Sequence, residues 1–440
     1  MRPSWKRTAF LTISGLVLTS SAFFYWFGLD EPLDPIAQQL INQATPTTQT
    51  SNAYLYLLGI NAAADEDPLT VGKQIFASIQ QGEKLYFQGK QAFTYQAYPA
   101  NKALPLPNGD LFCSIAKQAN CLASLFAADV NTIKATLTQH ATLLQRYKFF
   151  IKQDDYQTLS QSQSNEPSNN LVYLTKAESL LILESILYSK QGETTKALAL
   201  LKSSLDLNRQ RLKQSDNLIQ KIIYKTYISN LIDSIYLTLK IDNKLNFIIE
   251  PLTVEELSLE KPIAREFAFL ATSIKYMTSE MKLQALDNKD TNQYRVISGM
   301  YLLYKSNITI NANILFYQPI QQINKVKPEN LASYKASQNR AAYKALNKIK
   351  VQNLVGTILN KLEKPDFYSY AERLFDTNAK IQLFNQLQNP TTDLNTIISQ
   401  PANFYNKIDK WQLSDDKKRI CLRSPIQNKI DVNCLPLTVD

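Results

Sequence analysis

Charge is absent from 22 consecutive residues, 8–29, a run that opens on Thr8 and closes on Leu29. At 1.5 Å of rise per residue, a helix of that length covers the ~30 Å hydrocarbon layer of a bilayer. Beyond this run the apolar positions take up a different rhythm. Over 130–147, Val130, Ile133, Leu137, His140, Leu144 and Tyr147 recur at alternating spacings of three and four. That stripe predicts a helix with one buried face, and it places His140 among core residues. Similar periodicity predicts helices over 69–87, 217–239, 255–275, 337–362 and 368–387, with Ile222, Tyr227, Leu231 and Ile235 inward in the second of these.

The segment 175–212 reads as a helical hairpin. Thr175 and Glu178 have capping-box spacing, Gly192 supplies the break, and Thr194 can cap a second helix that buries Ala197, Leu200, Leu201 and Leu205. Counted from Gly192, the positions of Tyr188, Ala197 and Leu201 resemble half of a tetratricopeptide (TPR) motif, and no second copy follows at its 34-residue period. Near the C-terminus, 411–413 and 419–422 flank a polar turn and predict a small β-hairpin carrying Cys421. The fold expected is mainly α: a helical-hairpin array, TPR-like or α-solenoid-like, behind one transmembrane helix.

Polar stretches divide the chain. Residues 1–29 form a cytoplasmic stub and anchor, and 30–52, ending in Thr-rich 44–52, read as a tether. A helical region over 53–160 is interrupted by Pro99, Pro105, Pro107 and the Asn108-Gly109 turn signal, and the polar loop 160–170 separates it from an array over 170–388. The segment 389–440 completes the chain.

Composition supports helices, since 10 glycines in 440 residues fall well below the usual ~7%. Charge orients the chain. Arg2, Lys6 and Arg7 precede the apolar run while Asp30, Glu31 and Asp34 follow it, which leaves the N-terminus in the cytoplasm and the body in the periplasm. Trp5 at one end and 23–27 (FFYWF) at the other resemble aromatic belts. The competing reading is a cleavable signal peptide ending near Ser20 and Ala22, which also exports the body. An oxidising compartment suits the four cysteines. They allow three connectivities, of which Cys113 with Cys121 and Cys421 with Cys434 is the simplest. No metal or cofactor is expected, because His140 is the only histidine and neither pair has zinc-knuckle spacing.

No Gly-x-Ser-x-Gly elbow, His-Glu-x-x-His or Walker A loop occurs, so a hydrolase would depend on carboxylates, lysine or tyrosine. Glu178 with Glu184, and Asp65 with Asp67, read as solvated surface pairs, and no catalytic residue is assigned. The peptide 83–89 (EKLYFQG) coincides with a viral protease cleavage sequence and reads as native chain. Positive charge concentrates in 301–364, with ten Lys/Arg against two Glu. There Arg340, Lys344 and Lys348 are spaced by four along one helix face, either an ordinary solvated face or a patch for anionic lipid or an acidic partner. Export makes nucleic acid an unexpected partner. The functional expectation is a non-enzymatic envelope scaffold binding another envelope protein, with a carboxylate-dependent envelope enzyme and a lipid-docking organiser as alternatives.

Short segments together resemble a family of N-terminally membrane-anchored α-helical proteins of Gram-negative bacteria. They are Asn52-Ala53-Tyr54 with Leu58-Gly59, Asp67-Pro68, Cys113 with Cys121-Leu122-Ala123, the Gly192 hairpin, 218–223, Asn353-Leu354-Val355-Gly356, and Tyr370 with Arg373 and Asp376. Members often carry Asn-Pro where this chain has Asn353-Leu354, and their C-terminal Asp-Pro-Phe/Tyr-type segment is not clearly preserved. The resemblance implies the anchored helical architecture and the first cysteine pair. It implies no activity.

Overall fold

The computed structural model describes residues 28–440, apart from 116–117, 119, 164–165, 168–169, 242–246, 288–291, 294, 297–302, 347–349, 363–365, 390–392, 403, 406–409, 423–433 and 438–440. The expected membrane span therefore lies outside the described residues except for Gly28 and Leu29. Among the described residues no helix is long and apolar enough to cross a membrane.

The body is mainly helical. In chain order the described helices are α1 (Pro35–Ala44), α2 (Asn52–Leu58), α3 (Pro68–Phe87), α4 (Cys121–Ala127), α5 (Val130–Gln139), α6 (Ala141–Ile151), α7 (Leu171–Lys190), α8 (Thr194–Gln214) and α9 (Leu218–Ile241). There follow α10 (Val254–Leu257), α11 (Glu260–Asp287), α12 (Ser306–Gln321), α13 (Leu331–Leu346), α14 (Leu354–Leu359), α15 (Tyr368–Leu387) and α16 (Leu394–Ser399). The C-terminal hairpin is one strand larger than expected: β1 (Gln412–Leu413), β2 (Arg419–Cys421) and β3 (Cys434–Pro436) make a three-stranded antiparallel sheet in that order. The third strand packs against α9 and α15.

Most helices pack on their sequence neighbours: α7 on α8, α8 on α9, α11 on α12, α12 on α13. Helix α7 is apolar nearly all round and runs through the interior, with Leu174, Leu180, Leu183 and Ile186 fully buried. Each such side chain contributes roughly 1.5–3 kcal/mol relative to exposure. The α7–α8 turn is a Schellman motif. Gly192 takes φ +80°, its N–H donates to Ser189 O at 3.1 Å, and Glu193 N–H donates to Tyr188 O at 2.9 Å. Helix α3 starts one residue before its predicted beginning, because Pro68 fits the first helical position and the Asp67 carboxylate caps Leu69 and Thr70.

Other expectations change. Helix α7 begins at Leu171, so Thr175 bonds back to Leu171 O at 3.0 Å and forms no capping box; Thr194 is a helical residue following the Glu193 cap. The 130–147 helix breaks at His140, which takes φ −110° and packs edge-on against Phe112, buried as expected. Helix 337–362 divides into α13 and α14, and at the start of α14 the Asn353 side chain turns inward to accept Lys305 N–H at 2.8 Å. The loop 160–170 is no solvated divider: Ser160, Ser162 and Gln163 are buried.

The tether assignment for 30–52 also fails at its first half. Asp30 accepts from Asn307 N–H and Ile308 N–H, Asn307 Nδ2 donates to Glu31 O, and Asp34 N–H donates to Asn311 Oδ1. Helix α1 then packs on α11 and α12, burying Ala37 and Leu40. Residues from Asp30 onward are thus part of the folded body.

Candidate functional site

Both cysteine pairs form the nearest-neighbour disulfides, Cys113–Cys121 with Cα atoms 5.7 Å apart and Cys421–Cys434 with Cα atoms 4.0 Å apart. The first closes the short loop that follows the Pro-rich crossing, and the second joins directly opposed residues of β2 and β3. Of the basic triad, Arg340 and Lys344 are exposed on α13, four residues apart and so on one face; Lys348 lies outside the described residues. Lys350 reaches Glu31 at 2.6 Å, and Lys335 reaches Asp366 at 2.6 Å.

A cleft of about 610 Å³ runs between 45–49, α3, the segment 159–162 and α11. Ile41, Phe76, Leu159 and Ala268 supply its apolar lining, while Thr48, Gln80, Gln161 and Thr272 supply uncharged polar groups. Glu83 is its acidic member. The local fold places it there: the α3 stripe Ile75, Ile79, Tyr86 is buried, and Glu83 falls on the same face. Gly82 beside it lets the backbone approach, since a Cβ there would stand 2.1 Å from Thr94 O.

Behind Glu83 lies a charge network. Arg265 donates to Glu166 Oε1 and to Ser160 O, Ser160 Oγ donates to Glu166 Oε1 at 2.6 Å, and Tyr54 OH donates to Ser160 Oγ at 3.0 Å. Ser162 Oγ donates to Arg265 O at 2.9 Å, which locks α11 to the loop. Burial raises the Glu166 carboxyl, and the Arg265 charge opposes that rise. Burial pulls Arg265 down, but the combined charges of Glu166 and Asp216 and the hydrogen bond to Glu166 hold it above its ordinary value.

Among the described residues Glu83 has no ion-pair partner. Its Oε1 accepts Gln161 N–H at 2.7 Å, yet burial, reinforced by the Glu166 charge, pushes its carboxyl up to about 7. A carboxyl so placed both holds and releases a proton near neutrality, and it faces a cleft large enough for a ligand.

The expectation of solvated carboxylate pairs is corrected for Glu178. It is buried, accepts the Tyr147 hydroxyl and is pushed up to about 7 by desolvation, whereas Glu184 pairs with Lys148 at 2.5 Å. Asp67 serves as a helix cap. Sequence reasoning passed over Glu83, Glu166 and Arg265. Glu83 alone left a signal, a carboxylate at an apolar-stripe position; Glu166 and Arg265 meet only through the fold. Comparison with protein-family models, with curated proteins and with solved structures finds no match to this chain.

Proposed function

We propose that this chain is a single-pass inner-membrane protein whose helical body lies on the periplasmic side and binds an envelope protein partner. The 610 Å³ cleft around Glu83 carries this reading. Its wall of hydroxyls and amides over an apolar floor suits an extended polypeptide, whose backbone needs donors and acceptors and whose side chains need apolar contact. The stacked helices and the TPR-like Gly192 hairpin fit such a role, because helical arrays present long binding surfaces. Anchoring at 8–29 would raise the effective concentration of a membrane partner.

The test is photocrosslinking of the full-length protein in host membranes, with a crosslinking residue at Thr48 or Gln80 in the cleft and at exposed Lys196 as control. A reproducible envelope partner captured from the cleft positions alone is the expected result. Equal capture from Lys196, or none from the cleft, overturns the reading.

The Glu83 carboxyl, raised to about 7, favours one second reading, a carboxylate-dependent envelope enzyme. Glu83→Gln separates the two. Partner capture persists in the variant if the cleft only binds; a trapped complex found only in the variant points to turnover.

A further inference from the structure

Residues 351–362 are built inside out. Val355 and Leu359 lean on the core, but the side chains buried deepest are polar: Asn353, 1% exposed, donates from Nδ2 to Thr309 Oγ1 at 3.0 Å, and Asn360, 5% exposed, accepts Asn313 Nδ2 at 2.7 Å. Asn360 Nδ2 also donates to Thr309 O at 3.2 Å. Their outward positions are apolar. Val351, Leu354, Ile358 and Leu362 are 68%, 40%, 57% and 60% exposed; Leu354 and Ile358 share one face of α14, flanked by Val351 in the turn before it and Leu362 just past its end. Isolated exposed apolar residues are ordinary, but four along one short segment are a contact surface.

The position of this face identifies what it meets. Lys350, one residue before the stripe, pairs with Glu31, and Asp30 caps the start of α12, against which α14 packs. The chain thus enters the body beside this face, straight from the 22-residue apolar run and with no tether between. Basic residues neighbour it. Lys361 is exposed beside Leu362, and Arg340 and Lys344 are exposed on α13, whose last turn lines one small cleft together with Lys350, Asn353 and the start of α12.

We propose that the 351–362 face rests in the headgroup layer of the membrane crossed by residues 8–29, with its apolar stripe immersed and Arg340, Lys344 and Lys361 against anionic phospholipid. This is the arrangement of an interfacial helix, apolar on one side and cationic at the edge. It rests on the anchored reading and adds an orientation to it: the face that carries α14 lies down on the bilayer.

The experiment places a spin-labelled non-canonical amino acid at Ile358 of the full-length protein in nanodiscs containing phosphatidylglycerol, with Lys196 as control site. Relaxation by oxygen, which concentrates in lipid, is compared with relaxation by a water-soluble nickel chelate. The expected result is an oxygen-dominated response at 358 and a nickel-dominated one at 196. With the label at Leu362 instead, Leu354→Glu combined with Ile358→Glu, both at exposed positions, should move the response toward nickel. A nickel-dominated label at 358 in protein still held by the disc overturns this inference and leaves the anchor standing. Loss of the protein from the disc overturns the anchor, and this inference with it.

Discussion

Asp30 accepts the backbone N–H of Asn307 at 2.8 Å across 277 residues of sequence, so the first acidic residue after the apolar run caps a helix deep in the body. Helix α12 has no side-chain cap of its own, since Lys305 holds the capping position. Asp30→Ala is expected to cost about 1 kcal/mol, the usual worth of a helix cap. Asp30→Asn keeps an acceptor and should lose only the charge–dipole part. Thermal unfolding of the full chain in detergent micelles, followed by circular dichroism, checks the order wild type, Asn, Ala. An unchanged midpoint in the alanine variant would show that the contact does not hold the junction.

The Glu166–Arg265 pair is buried, so its partners depend on each other. Glu166→Gln leaves the guanidinium in the interior without its counter-charge, for which a loss of about 3–5 kcal/mol is expected. Removing both charges with Glu166→Leu and Arg265→Met should recover a good part of that loss, because neither ion is then desolvated alone. Urea denaturation of the three proteins supplies the comparison. A double variant no more stable than Glu166→Gln would rule out the coupling.

Burial of Glu178 makes a pH prediction. Its folded value, about 7, lies above the ordinary 4.5, so between these limits the folded state holds a proton that the unfolded state has released. Stability from this group is full below about 4.5 and is lost as pH rises toward 7, by at most about 1.4 kcal/mol per pH unit. Glu83 contributes with the same sign in the same window. Glu178→Gln should therefore flatten part of the decline in denaturation midpoint between pH 5 and 7. A decline as steep as the wild type's would mean that Glu178 is ionised in the folded protein.

Much of the fold was legible because local chemistry decided it. Asp67-Pro68 starts a helix and Gly192 ends one whatever surrounds them, and cysteines eight and thirteen residues apart meet their nearest neighbours. The misreadings share another cause. Spacing reveals that a helix has two faces but not which of them is wet. Val351, Leu354, Ile358 and Leu362 look like a core stripe and are exposed, while Glu83 and Glu178 look like surface carboxylates and are buried. Residues 35–44 are polar enough to pass for tether, with Gln38, Gln39, Asn42 and Gln43, yet Ala37 and Leu40 are buried and Ile36 and Ile41 pack against the core. The Glu83 site was hidden for the same reason, since its neighbours Gln161 and Glu166 arrive from a loop whose polarity suggested solvent.

The disulfides should differ little in thermodynamic weight but more in consequence. Each closes a short loop, worth about 2–3 kcal/mol through restraint of the unfolded chain. Cys421→Ser with Cys434→Ser unties β3 from β2, and β3 packs on α9 and α15, so near-ultraviolet dichroism from buried Trp411 and from Tyr405 should weaken. Cys113→Ser with Cys121→Ser should lower the midpoint without changing that signal. Identical spectra in the two double variants would contradict this.

Gly356 gives the sharpest stability test of the inside-out segment. A Cβ there would stand 2.0 Å from Thr309 Oγ1 and 2.4 Å from Asn353 Oδ1, the atoms whose hydrogen bonds hold the segment to α12. Gly356→Ala must displace the Thr309 and Asn353 side chains or push α14 outward, and either breaks those bonds, leaving buried amide and hydroxyl groups unsatisfied at about 1–3 kcal/mol each. Helix propensity alone would favour alanine by up to about 1 kcal/mol. The two effects have opposite signs, so the direction of the change decides between them. A lowered unfolding midpoint is expected, with faster amide exchange over 351–362; a raised midpoint would mean that α14 is not seated on Thr309 and that its apolar stripe need not face outward.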